Sequence, residues 1–295
     1  MKPRWAATNC GVTVFALLLA ACSEGNDLGP VPTLELGEPT ISGRVAMPLF
    51  GPGPSSEVWL VDADGQNLAP VEEGVSTWQP RFSRDGTRIA YVSLAHGLTV
   101  LDLVSNTRQR VAFDGSRPTW SPNGDRLAWV DTAERIHVRE LATGATAMVW
   151  RSSDRIAAIE WSPTQDVIAI AWEGRGQVSG FGLDLGLMPA SGGFPRTISG
   201  WFSDARWSPD GKMLGAARGL IDVHGREVVG GDRVVPLAWS ADGKGQLRIG
   251  SSPDGLRFVL QDLRGVTLMV LPLPPDRQLP MLIDYGYFWA DWSWD

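Results

Sequence analysis

One unit recurs along this chain and constrains what it can fold into: an aromatic residue, a serine, a tight-turn segment and then an apolar run. Its clearest copy is Ala205-Arg206-Trp207-Ser208-Pro209-Asp210-Gly211-Lys212-Met213-Leu214. Proline pre-sets φ for a turn, the Asp side chain bonds nearby backbone, and Gly accepts the left-handed conformation that closes a hairpin. The aromatic-Ser pair therefore ends one strand and the apolar run begins the next. Weaker copies are Arg81-Phe82-Ser83-Arg84-Asp85-Gly86, Thr119-Trp120-Ser121-Pro122-Asn123-Gly124, Glu160-Trp161-Ser162-Pro163-Thr164-Gln165, Ala238-Trp239-Ser240-Ala241-Asp242-Gly243 and Asp291-Trp292-Ser293-Trp294-Asp295. The serines stand at 83, 121, 162, 208, 240 and 293, an average step of 42 residues. That period, with four strand signals per unit, marks a β-propeller and not a helical solenoid.

The strand signals begin at Ile41 with Gly43 to Phe50 and Glu57 to Asp62, and no aromatic-Ser copy precedes them. The last copy, Trp289 to Trp294, has nothing after it. These two fragments complete one blade, and their pairing removes the open edges that invite aggregation. The predicted fold is thus all-β: a six-bladed propeller of four-stranded blades, its ring closed by pairing of the N- and C-terminal strands. The fourth blade departs from the pattern, because Thr164-Gln165 replaces Asp-Gly and Gly174 to Gly193 reads as a long Gly-rich excursion. In the sixth, Trp239-Ser240 is the better anchor than Ser252-Pro253-Asp254-Gly255. The Pro-rich stretch Leu271 to Tyr287 reads as a long connection into the closing strand.

The start of the chain is not part of this pattern. A basic Met1-Lys2-Pro3-Arg4 precedes the apolar run Val12 to Ala21, which is too short to span a bilayer, so residues 1–21 read as a signal peptide. Leu19-Ala20-Ala21-Cys22 resembles the lipobox of bacterial lipoproteins, which implies cleavage before Cys22 and acylation of its thiol. Residues 22–40, rich in Gly, Pro and polar side chains, read as a flexible tether, and 41–295 as the propeller. Cys10 leaves with the signal, so the mature domain has no disulfide. A net charge of −7, with no basic run, argues against nucleic acid as a partner.

The repeat copies resemble those of TolB-type propellers, whose consensus is close to Trp-Ser-Pro-Asp-Gly-Lys followed by an apolar strand. The resemblance covers Ile41 to Asp295. It implies a six-bladed propeller in the bacterial envelope, but the same repeat serves partner proteins, lipoproteins and the gating domains of peptidases. There is no room for the separate N-terminal domain of TolB, and no Gly-x-Ser-x-Gly elbow of a peptidase is present.

The six repeat aromatics, Phe82, Trp120, Trp161, Trp207, Trp239 and Trp292, are expected to fill space between blades. His96, His137 and His224 occupy unlike positions, Asp62-Ala63-Asp64-Gly65 reads as a hairpin turn rather than a calcium loop, and Glu72-Glu73 as a solvated pair. No metal and no cofactor are expected. The residues preceding the aromatics, Arg81, Thr119, Glu160, Arg206 and Asp291, with Arg117 and Asp204 further back, would bring mixed charges to one mouth of the channel as a docking surface. The expected protein is a noncatalytic monomer, held in the cell envelope through Cys22, either at the periplasmic face of the outer membrane or the outer face of the cytoplasmic membrane. It would bind another envelope protein at that mouth and through the loops Gly174 to Gly193 and Pro272 to Tyr287. The alternatives are a calcium-dependent lactonase-like hydrolase, with ligands converging in the channel, and a glycan-binding module using Trp201, Trp289 and Tyr287.

Overall fold

The structure is a computed structural model that describes residues 42–51, 55–174, 183–202, 206–216, 219–230, 237–240, 242–252, 255–262, 265–279 and 290–293. Cys22, the signal and tether segments, Asp204, Tyr287 and Trp289 lie outside these residues. Every regular element among the described residues is a β-strand, and the strands form six four-stranded antiparallel sheets. Blade 1 runs outward through Asp291–Trp292, Arg44–Phe50, Ser56–Asp62 and Ala69–Pro70. Blade 2 has Thr77–Phe82, Arg88–Ser93, Gly97–Asp102 and Thr107–Ala112, and blade 3 has Ser116–Trp120, Arg126–Val130, Arg135–Glu140 and Thr146–Arg151. Blade 4 comprises Ile156–Trp161, Val167–Glu173, Leu183–Pro189 and Arg196–Phe202. Blade 5 comprises Arg206–Trp207, Met213–Ala216, Gly219–Asp222 and Glu227–Gly230, and blade 6 Ala238–Trp239, Gly245–Ser252, Gly255–Asp262 and Thr267–Val270.

The repeat serine explains why each hairpin forms where it does. In blade 2 the Ser83 hydroxyl donates to Asp85 (2.5 Å) and accepts the Arg88 N–H (3.0 Å), so one side chain holds both the turn and the first rung of the next strand. Ser121, Ser208 and Ser240 repeat the arrangement with Arg126, Met213 and Gly245. Blade 1 makes the same contact with residues from opposite ends of the chain: the Arg44 N–H donates to Ser293 Oγ (2.6 Å), and the Ser293 N–H donates to the Arg44 carbonyl (2.7 Å). Val45 pairs with Trp292 in register, so the ring is closed as expected.

The apolar cores lie between blades. Phe82 packs with Ala46, Val58 and Ile89, Trp120 with Val92 and Leu98, and Trp161 with Val130 and Ile136. Trp207 packs with Ala158 and Leu185, and Trp292 with Leu247 and Phe258. All six repeat aromatics are buried, which bears out their space-filling role. Burying large aromatics at every seam supplies much of the cohesion that a ring without a central core needs.

Alternation of strand direction gives the ring two distinct faces. The serine turns and the turns between third and fourth strands share one face, the turn face, where they bond each other: Leu103 N–H to the Thr87 carbonyl (2.8 Å), Leu141 to Asp125 (3.0 Å) and Ala190 to Asp166 (3.0 Å). The second-to-third strand turns and the connections leading into each innermost strand share the opposite face, the loop face. Two expectations need correction. The excursion Gly174 to Gly193 is not all loop, because Leu183–Pro189 pairs along its full length with Val167–Glu173 as the third strand of blade 4. Glu72 is not solvated: it accepts the Tyr91 hydroxyl (3.3 Å) and pairs with His96 (3.1 Å), because the connection that carries it folds back over blade 2. Ser252 and Gly255 flank a second-to-third strand turn, which leaves Trp239-Ser240 as the anchor of blade 6.

Candidate functional site: the axial channel

Each innermost strand places the residue before its aromatic on the ring axis, so Asp291, Arg81, Thr119, Glu160, Arg206 and Ala238 follow one another around the channel in blade order. The structure brings Arg81, Thr119, Glu160, Arg206 and Asp291 together on the axis, with Arg117 set apart at a bulge, but it does not present all of them on an open mouth. Arg81 and Arg206 are 5% and 3% exposed. The carboxyl of Asp291 is pushed up by burial, an effect opposed by the positive charges of Arg81 and Arg206. The guanidiniums of Arg81 and Arg206 thus offset part of the cost of burying Asp291 inside the channel. The expectation of charges offered at an accessible rim is corrected to that extent.

The same residues tie neighbouring blades together. The Phe82 N–H donates to Asp291 Oδ2 (2.7 Å), joining blade 2 to blade 1, and the Trp161 N–H donates to Thr119 Oγ1 (2.8 Å), joining blade 4 to blade 3. Indole N–H groups run the same way, each donating to the preceding blade, from Trp120 to the Arg81 carbonyl (3.0 Å) and from Trp207 to the Glu160 carbonyl (3.1 Å). Arg117 sits at a bulge with φ of 54°, as does Gln79 at the equivalent place in blade 2. The bulge re-aims these side chains along the ring. Gln79 Oε1 accepts the Arg117 N–H (2.7 Å), and Arg117 Nε donates to the Ala157 carbonyl (2.9 Å), so a chain of contacts crosses blades 2, 3 and 4.

Toward the turn face the ring leaves a cavity of about 80 Å³, lined by Arg81, Thr119, Glu160, Asp291, four of the five buried repeat tryptophans and the turn residues Arg84, Pro122 and Pro163. Arg84 Nη1 donates to the Pro163 carbonyl and thereby reaches from blade 2 to blade 4 over the mouth. A space of that size holds a few water molecules or one small side chain. Among the described residues no group of three His, Cys, Asp or Glu side chains is placed to hold a metal ion.

The sequence reading missed the stacked arginines. Arg88 lies over the Trp120 ring (4.8 Å) and donates to the Gly124 carbonyl (2.7 Å), and Arg126 lies over Trp161 (4.8 Å) and pairs with Asp166 (2.8 Å). Both stand five residues after a repeat serine, a signal present in the sequence but legible only once consecutive blades are known to touch there. On the loop face Phe113 is 77% exposed with the Arg110 guanidinium over its ring (3.9 Å), and Leu94 is 74% exposed. The backbone of Gly97, in the same turn as Leu94, is packed on Ala112 and Phe113, which puts the two apolar side chains on one end of blade 2.

No family model and no curated protein matches the sequence. Solved structures do match the fold. TolB from Acinetobacter baumannii superposes with a TM-score of 0.66 at 17% identity, over 86% of this chain and 67% of that one. A chain of a nidogen/laminin complex gives 0.55 at 8% identity, over 84% and 97%. An oligogalacturonate lyase in complex with manganese gives 0.51 at 15%, over 79% and 76%. The likeness is one of fold: this chain is a TolB-like six-bladed β-propeller.

Proposed function

We propose that this protein is a noncatalytic, envelope-anchored propeller lipoprotein that binds another protein through its loop face. The observation that carries the reading is the pair of exposed apolar side chains, Leu94 and Phe113, on one end of blade 2, with Arg110 stacked on the phenyl ring. Aromatic and arginine side chains are enriched where proteins bind proteins, and an exposed aromatic with a guanidinium fixed on it suits the centre of such a contact. Glu173 and Leu183, which flank the second-to-third strand connection of blade 4, and the end of the last strand of blade 6 lie on the same side. The axial residues serve as its frame. Arg81 and Arg206 are buried and spent against Asp291, and the cavity beside them holds only a few water molecules, which favours recognition on the surface over chemistry in the channel.

Crosslinked co-purification from membranes, comparing wild type with a Leu94→Asp, Phe113→Asp double variant, tests the reading. One protein enriched with wild type and lost with the folded variant is the expected result; equal recovery with both rules out this surface. The metal-dependent enzyme is the rival, favoured by the manganese-bound lyase among the structural neighbours. A melting temperature that rises with calcium or manganese, and falls back on chelation, would favour it.

A further inference from the structure

The turn face carries its own apolar tips. Phe194 is 91% exposed, Val104 80% and Val266 55%. They stand in the third-to-fourth strand turns of blades 4, 2 and 6, so alternate blades each contribute one tip. Three tips spaced around a ring define a plane across its axis. Exposed apolar side chains alone do not choose a face, since Leu94 and Phe113 project from the other one. The chain's point of entry does choose: Arg44 is locked to Ser293 at the serine turn of blade 1, so the segment arriving from Cys22 joins the ring on the turn face.

We propose that the turn face rests on the lipid bilayer, with Phe194, Val104 and Val266 inserted at headgroup depth and the loop face turned away toward the partner. The inference rests on the anchored reading above. An acyl chain at Cys22 supplies one membrane attachment, and the three tips supply a second that orients the ring, since bound side chains at three points resist tilting in a way that one tether does not. Charges of both signs are exposed on this face: Asp85, Asp210 and Asp242 among the acids, and Arg108, Arg196 and Arg226 among the bases, while Asp125 and Asp166 pair with Arg126. A face without a basic excess has no electrostatic pull toward an anionic surface, so the occupant is a zwitterionic, phosphatidylethanolamine-type bilayer.

Spin labels read this directly, because Cys22 is the only cysteine after the signal segment. The purified membrane form is placed in phosphatidylethanolamine/phosphatidylcholine vesicles with Phe194→Cys, Val104→Cys or Val266→Cys labelled, and with Leu94→Cys and Phe113→Cys as loop-face controls. Mass measurement of the N-terminal peptide reports acylation in the same samples. The expected result is acylated Cys22, high oxygen and low nickel-chelate accessibility at the three turn-face labels, and water-like values at the controls. Acylated protein whose turn-face labels match the controls overturns the membrane orientation while leaving the anchor in place. Protein without acylation overturns the anchored reading and the orientation with it. A Phe194→Asp variant that leaves the depth of labels at 104 and 266 unchanged overturns the three-point contact.

Discussion

Ser293 is the residue on which closure of the ring turns. In four of the other blades the equivalent hydroxyl accepts an N–H five residues on, a contact that any hairpin could make; Ser293 accepts from Arg44, 249 positions away. Ser293→Ala leaves that half-buried N–H without its acceptor, and such a loss costs about 1 kcal/mol. Urea denaturation should show that loss, and should show Ser208→Ala losing less, because its hairpin is held by sequence proximity as well. Trp207 is buried between blades 4 and 5 and bonds the Glu160 carbonyl (3.1 Å). Trp207→Ala should cost about 3–5 kcal/mol, and an unchanged melting temperature would contradict the packing role. The serines were legible in the sequence as markers of strand ends. Their hydroxyl chemistry was not, because a side chain that bonds its own turn and one that closes a ring look identical in a repeat.

At the scale of elements, blade 3 contains a hairpin held by one carboxylate. Asp131 Oδ2 accepts from Arg135 Nε (2.6 Å) and lies 2.9 Å from His137 Nε2, whose ring stacks on Trp129 (5.4 Å). Burial pushes the Asp131 carboxyl up, but bonds from His137, from Arg135 and from the Ala133 N–H outweigh it and hold it at about 2, below the ordinary 3.8. A carboxyl lowered by folding contributes stability that is present above pH 3.8 and is lost as pH falls toward 2. Wild type should therefore lose about 2 kcal/mol relative to Asp131→Asn across that window, read from denaturation midpoints. The closing connection is pinned in another way: Arg277 Nη2 donates to Glu57 Oε2 (2.9 Å), and Phe50 and Gln278 exchange backbone hydrogen bonds. Glu57 is buried, so removing Arg277 strands a carboxylate, and a double-mutant cycle of Arg277→Ala with Glu57→Gln should give a coupling of about 1 kcal/mol or more. Blades were legible as elements because turn chemistry repeats. The bulges at Gln79 and Arg117 and the third strand of blade 4 were not: a bulge leaves no compositional mark, and Gly-rich flanks disguised Leu183 to Pro189 as loop.

At the scale of the molecule, closure and alternation together make a ring with two unlike faces. Blade count followed from the repeated serines, and closure from the two incomplete fragments at the ends of the pattern. The positions of the charged residues on the axis also followed from the repeat, but their burial did not, since a period says where a side chain stands and not how tightly the ring closes around it. That difference moves the proposed recognition surface from the channel to a face. The docking charges expected at the mouth became the frame, and the apolar side chains that repeat nowhere became the candidates for contact. Photocrosslinking with a reactive amino acid placed at Phe113 and, separately, at Phe194 in living cells compares the two faces in one experiment. A protein adduct from position 113, with only lipid or no adduct from position 194, is the result expected of a ring that binds its partner on the loop face. A protein adduct from position 194 and none from 113 would contradict it.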